Sequence, residues 1–314
     1  MRKSFAILFV ACSLSSCIKE VDVFLPDDPT LTNSDFKAFF QDIQPAAQTF
    51  LVNTDHDTTL NSTSGVHVYI PAGAFTTVSG GSVNGIVEVQ LRNAFNKGNW
   101  VANRMSTTTQ SALFEHLGAV QISAVKNDIQ LKLAPSAKLT FDIPRESINE
   151  PGRLFRGIND QENRVLWLDI NDQAELTQNE FFDVASQQWK TTWQWETSST
   201  GWFACGKYLP DTPVTGNTFC VTLPEGYDET NTATFAVFQQ NNSIVELEWR
   251  AASRQFCTTF IPAGYTVTLL SISAKDQHHF LGYAEAIVEA SGTSIPLQPI
   301  GTTPAIFAEL LDEL

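Results

Sequence analysis

The sequence is short of charge and of sulfur. Asp, Glu, Lys and Arg make up only 17% of its 314 residues, against ~25% in an ordinary soluble chain. Uncharged hydrogen-bonding residues fill the gap, 32 of them threonine, a strand-friendly composition. Five cysteines exclude a disulfide-dense miniprotein, and seventeen glycines exclude a collagen-like repeat. Positive charge is scarcer still. Nineteen Lys and Arg face 34 Asp and Glu, for a net charge of −15, and no cationic cluster longer than two interrupts that field. It repels phosphate backbones, which excludes nucleic acid as a partner. No uninterrupted apolar run approaches the ~18 residues of a membrane-spanning helix. What is present is apolar material: 43% of residues are hydrophobic, enough to fill cores and to exclude disorder along most of the length. At roughly 150 residues per domain the chain predicts two compact units.

The first seventeen residues, MRKSFAILFVACSLSSC, place two cations before an apolar stretch from Phe5 to Leu14 and small residues before a cysteine. That order is the order of a secretion signal. The step Leu14-Ser15-Ser16-Cys17 resembles the lipobox of bacterial lipoproteins, which implies that residues 1–16 are removed and that Cys17 carries a covalent lipid. Several acyl chains on one residue exceed what lasting membrane attachment needs, at ~0.8 kcal/mol per buried methylene. Ile18-Lys19-Glu20-Val21-Asp22 resembles the charged tether of lipoproteins exported to the surface of Bacteroidota-type outer membranes. The implied address is the outer membrane, facing the cell exterior, with a periplasm-facing orientation as the alternative.

Residues 21–33, with two prolines and three aspartates, read as an extended spacer. Ser34 then precedes Phe36, Phe39, Phe40 and Ile43 at helical spacing, with Pro45 beyond them, which predicts a short helix. After Gln48 the period becomes two. Val66, Val68 and Ile70, then Val87, Val89 and Leu91, then Leu139, Phe141 and Ile143 alternate with polar residues, and glycine-rich turns separate them. Residues 46–150 therefore read as a β-sandwich. Residues 151–200 read as a connector with strand character, and residues 201–314 as a second β-sandwich. In the latter Val245, Leu247 and Trp249 alternate with Glu246, Glu248 and Arg250, and Ile261-Pro262-Ala263-Gly264 repeats the tetrapeptide at Ile70 to Gly73. Thr303-Pro304 opens a C-terminal helix with Ile306, Phe307, Leu310 and Leu311 in a stripe. The expectation is an all-β chain of two β-sandwich-like domains in tandem, with a short helix near each end and no others.

The run Val66-His67-Val68-Tyr69-Ile70-Pro71-Ala72-Gly73-Ala74-Phe75, followed by Val83-Asn84-Gly85-Ile86-Val87-Glu88-Val89 and ending at Lys138 to Pro144, resembles the β-sandwich domain of ankyrins and netrin receptors. The resemblance covers about a third of the chain and implies a sandwich fold there. Some relatives carry a neighbouring module that cleaves itself at a His-Phe-Ser step. Here the nearest match, His279-Phe280-Leu281, has no serine, so no self-cleavage is implied. Ser199 to Cys205 resembles a Gly-Trp-Ile-Asn-Cys-Asp landmark of related lipoproteins, departing from it at Ala204 and Gly206.

Five constellations bear on chemistry. The five histidines form no His-Glu-x-x-His motif. His278 and His279 would point to opposite faces of a strand, and read more simply as solvated loop residues. Asp55 and Asp57, or Asp160 and Glu162, offer oxygen ligands for calcium, but polar turn chemistry is the simpler reading and no EF-hand spacing is present. A hydrolase would need a pocket gathering His56 and either Asp55 or Glu115 with His116. Trp189, Trp193 and Trp195 share one face of an extended segment and would form a sugar-stacking platform if exposed together; burial is the default for such side chains. With Cys17 lipidated, Cys205, Cys220 and Cys257 allow one disulfide in any of three pairings, or none. The function this predicts is a non-catalytic, lipid-anchored structural or binding module without a resident cofactor, with a glycan or protein partner at the cell surface. A glycan-binding accessory protein and a hydrolase are the alternatives.

Overall fold

The computed structural model describes residues 36–144, 152–160, 164–172, 174–183, 187–210, 218–290 and 292–314. Cys17, the spacer, Ser34 and Glu162 lie outside the described residues. The chain is all-β, with antiparallel sheets and short helices near its N- and C-terminal ends. The first helix, α1 (Phe36–Ile43), is followed by β1 (Gln48–Asn53), β2 (Thr58–Asn61), β3 (His67–Ile70), β4 (Phe75–Thr77) and β5 (Ile86–Ala94). A second helix, α2 (Lys97–Ala102), precedes β6 (Phe114–Lys126), β7 (Ile129–Leu133), β8 (Leu139–Pro144), β9 (Arg153–Asn159), β10 (Val165–Asp169), β11 (Thr177–Asp183), β12 (Gln188–Thr197) and β13 (Gly201–Tyr208). The remainder runs through β14 (Phe219–Thr222), β15 (Thr232–Phe238), β16 (Ile244–Arg250), β17 (Gln255–Thr258), β18 (Thr266–Lys275), β19 (His278–Ile287), β20 (Thr293–Pro296), β21 (Ile300–Thr302) and α3 (Pro304–Glu313). No helix among the described residues is long and apolar enough to cross a membrane.

Three sheets form, and residue parity shows how they stack. The first runs β1-β5-β6-β13-β9-β10, with β7 and then β4 branching from β6. The second runs β11-β12-β8-β3-β2. Val87, Val89 and Leu91 of β5, Val120 and Ile122 of β6 and Phe203 and Cys205 of β13 meet Val68, Phe141, Trp193 and Trp195 of the second sheet in one core. The alternate positions, Ala94, Ala119, Trp202 and Ala204, enter a different core together with Phe155 and Trp167. The middle of the first sheet is thus buried on both faces, which is why β13 is apolar almost throughout.

The third sheet runs β20-β14-β17-β16-β15-β18-β19-β21. Its middle strand β16 pairs with β15 through residues 244–247 and with β17 through residues 248–250, so the sheet bends partway along that strand. Ala233, Phe235 and Val237 of β15 and Leu270 and Ile272 of β18 join the core beneath the first sheet, where α1, α2 and α3 also pack. The opposite parity, Phe238, Val245, Leu247, Val267 and Leu269, closes with Phe219, Phe256 and Leu297 into a third core inside the bend. Cys220 and Cys257, cross-strand neighbours on β14 and β17, form a disulfide with Cα atoms 4.1 Å apart. Cys205 is the buried thiol left over, and burial pushes its pKa up.

Several expectations need correction. Residues 151–200 are not a connector between units: β9, β10, β11 and β12 complete the two sheets of the first half. Residues 201–208 do not open the second unit, because β13 is hydrogen-bonded between β6 and β9. The structural divide falls after Tyr208, and even there the two halves share a core. The helix α2 was not foreseen. It is six residues long, Asn96 caps it by accepting from the Asn99 N–H at 2.8 Å, and tertiary packing sustains it. At Gly98 it approaches α3 so closely that a Cβ would sit 1.8 Å from the Leu311 carbonyl oxygen. The repeated tetrapeptide has one geometry in both places. Gly73 and Gly264 adopt φ of +68° and +89°, and each N–H donates to a carbonyl at the end of another strand, Thr54 after β1 at 2.7 Å and Val288 after β19 at 2.8 Å.

Candidate functional site

Most of the chemistry anticipated from sequence is not assembled. Trp193 and Trp195 do share a face, but that face is turned inward. Each is 2% exposed, and Trp195 stacks on Phe141 at 4.9 Å, while Trp189, near the start of β12, is 71% exposed. The stacking platform does not form. The hydrolase grouping fails as well. Asp55 and His56 lie in the β1–β2 turn, at the end of the sheet where Asn53 pairs with Ile86 and Glu88 pairs with Val125. His116 lies nine residues along β6 from Val125, on the order of 30 Å away. Its ring is buried and stacks on Trp100 at 4.4 Å, and its pKa is lowered to about 3, chiefly by burial and then by Lys97. Glu115 instead pairs with Lys207 at 3.3 Å. His279 is not a solvated loop residue: it is buried in β19 and stacks on Phe39 at 4.1 Å, while His278 is exposed.

Two of the carboxylates considered for calcium, Asp57 and Asp160, are used by the fold. The Asp57 carboxylate accepts from the Tyr69 hydroxyl and from the Ala72 N–H, both at 2.8 Å, closing the turn at Pro71-Ala72-Gly73. The Ala72 bond, then the Tyr69 bond, hold its pKa below the usual carboxylate value. Asp55 uses its own N–H to donate to the Asn53 side chain at 3.1 Å. Asp160 accepts from the Arg164 side chain at 2.7 Å and from its N–H at 2.9 Å, a loop-closing pair. No group of three or more metal-ligating side chains occurs among the described residues.

A different site lies where the two halves meet. The segment after α2 ends that helix with a Schellman motif: the Arg104 N–H donates to the Val101 carbonyl at 3.0 Å and the Met105 N–H to the Trp100 carbonyl at 2.9 Å. The left-handed position is filled by Arg104 at φ +52°, where glycine is the usual choice. An L-residue there costs roughly 1–2 kcal/mol. Its guanidinium lies 5.4 Å from the ring centroids of both Phe36 and Phe40 and donates to Oε1 of Glu246 through Nε at 3.2 Å and through a terminal nitrogen. The next residues join the same segment to β16. Ser106 Oγ accepts from the Glu246 N–H at 2.6 Å, Thr107 Oγ1 accepts from the Ile244 N–H at 2.9 Å, and the Thr107 N–H donates to the Ile244 carbonyl at 2.7 Å. Met105 also bridges to Val165, drawing β10 alongside.

These contacts frame a cleft of about 110 Å³. Its walls are Arg104 and Ser106 on one side, Arg164 and Leu166 on another, and Glu246, Glu248, Arg250 and Phe260 from the bent third sheet. Glu246, Glu248 and Arg250 alternate along one face of β16 and run from a buried floor to an exposed rim. At the floor the Glu246 side chain is 8% exposed and that of Arg104 18%. Burial raises the Glu246 pKa, opposed by the Arg104 charge. Its Oε2 atom is buried and makes no hydrogen bond. An unpaired buried acceptor costs about 1–3 kcal/mol, and it marks this carboxylate as a place where a donor is wanted.

The alternation of Glu246, Glu248 and Arg250 with Val245, Leu247 and Trp249 is legible in the sequence. Only the tertiary join brings Arg104 opposite it. No family model, no curated protein and no solved structure matches this chain, so the likeness of residues 66–144 to the ankyrin and netrin-receptor domain rests on those residues alone.

Proposed function

We propose that the chain is a lipid-anchored, non-catalytic binding module of the cell envelope. Cys17 holds it to the outer membrane, residues 18–33 act as a spacer, and the two sheet-built halves present one preformed cleft to the exterior. The observation that carries the binding half of this reading is the join. Ser106 and Thr107 bond to Ile244 and Glu246, and a common core lies beneath both halves. A cleft framed in this way does not have to be ordered when a ligand arrives, and preorganisation of that kind is where affinity is gained. The leader sequence supports the anchoring half, and the acidic field argues for uncharged or cationic partners.

The mass of the native protein tests the anchor. The expected product begins at Cys17 and is heavier than its sequence by a diacylglycerol and an acyl chain, while Cys17→Ala abolishes that increment and releases the protein from the membrane fraction. Protease applied to intact cells is expected to liberate peptides of residues 218–314. A bare thiol with the leader attached would refute the anchor, and full protection in intact cells would place the module on the periplasmic side.

A further inference from the structure

The cleft between the halves shows what chemistry it would accept. Its floor is formed by Glu246, a side chain more than nine-tenths buried whose Oε2 atom makes no hydrogen bond. At its rim Glu248 and Arg250 make no ion pair and no side-chain hydrogen bond among the described residues. A cationic ligand would have to displace Arg104 from Glu246, and it would lie near Arg250 and beside Arg164, which Asp160 already pairs. An anionic ligand would meet Glu246 and Glu248 and would have to approach a chain of net charge −15. An uncharged molecule escapes both penalties, provided it can donate and accept along one edge, which is what neighbouring hydroxyl groups do. The Phe260 side chain and the adjoining Leu166 supply apolar surface for a C–H face. One water fills ~10–15 Å³ of such a cleft. The space therefore replaces on the order of eight waters, enough for one ring and too little for an extended chain.

We infer that this cleft binds a single neutral, polyhydroxylated ring, the terminal unit of a saccharide, with Glu246 accepting a hydroxyl proton at the floor, Glu248 and Arg250 pairing with hydroxyls at the rim and Phe260 against the ring. The inference rests on the reading of the chain as a binding module and gives that module its ligand class. It does not use the tryptophans.

The test is titration calorimetry on the full chain carrying Cys17→Ala, with glucose, galactose, mannose and N-acetylglucosamine as neutral probes and glucuronate and glucosamine as charged ones. At least one neutral sugar is expected to bind at one site per chain, with the charged probes weaker. Glu248→Ala and Arg250→Ala, both exposed, are each expected to weaken binding about fivefold, the factor that a lost hydrogen bond carries, with the melting temperature unchanged. Glu246→Gln is expected to weaken it at least tenfold. Should Glu246→Gln fail to fold, the two rim variants still decide the matter. No heat from any neutral sugar, tighter binding of a charged probe, or rim variants that bind like the parent would overturn the assignment. Because the lipid is absent from this variant, failure here leaves the anchor standing, and a bare Cys17 thiol in the native protein would leave the saccharide site standing.

Discussion

Residues 48–208 and residues 219–302 enclose apolar cores by different means. In the first half two separate sheets face each other, and the core between them is lined by strands from both. In the second half a single sheet bends at β16, and its core is sealed within the bend, where the Cys220–Cys257 disulfide ties β14 to β17. Two sheets brought together need no covalent help, because each supplies a lid for the other. One bent sheet must hold its own curvature, and the crosslink sits beside the strand at which it bends. A third core then makes the halves interdependent, because the first sheet's outer face and the third sheet's outer face cover one another.

The largest effect is expected where that interdependence lies. Phe235 is fully buried in the shared core, with its ring 6.4 Å from that of Phe40. Phe235→Ala should cost about 3–5 kcal/mol and should split a single calorimetric transition into two. Two transitions already present in the parent protein would break the comparison, since the halves would then be independent. Next comes the crosslink. The cysteines are separated by 37 residues, for which restriction of the unfolded chain predicts about 3–4 kcal/mol. Replacing both by alanine should lower the denaturant midpoint of the second half by that amount. An unchanged midpoint would show that the bend holds without it.

A smaller effect is expected from pH at the join, where the backbone N–H of His116 donates to the Asn242 carbonyl at 2.9 Å and its ring is buried without a hydrogen bond. The folded ring has its pKa lowered to about 3, against 6.5 for an ordinary imidazole, mainly by burial. Between those values the unfolded chain takes up a proton that the folded chain refuses, so stability is full above pH 6.5 and is lost as the pH falls. The slope is about 1.4 kcal/mol per pH unit, or about 2 kcal/mol between pH 6.5 and pH 5. His116→Phe should flatten that part of the stability profile in chemical denaturation. An identical slope in the variant would remove the histidine from the account.

What could be read in advance follows the period of the side chains. Val66, Val68 and Ile70, and Val87, Val89 and Leu91, alternate because one face of each strand meets a core and the other carries polar groups, and these were legible. The strand β13 was not, because both its faces are buried and alternation disappears from Gly201-Trp202-Phe203-Ala204-Cys205. The helix α2 escaped for a related reason. Its Lys-Gly-Asn opening has weak helix propensity, and the packing of Gly98 on α3 that supports it lies more than two hundred residues away in the chain. The tryptophans were placed on the correct common face, but period alone cannot say which side of a sheet is inside. The cleft was invisible for the plainest reason: Arg104 and Glu246 are separated by 142 residues, and neither is unusual in its own neighbourhood.

The position of β13 also sets a timetable for manufacture. Gly201 pairs with Ile122, and Phe203 pairs with both Val120 and Arg156, so the middle of the first sheet stays open until residues near 208 leave the ribosome. Until then β6 and β9 expose unpaired edges and both of their apolar faces, a condition that invites aggregation. Nascent chains truncated between about residues 145 and 200 should therefore be the ones that chaperones hold longest.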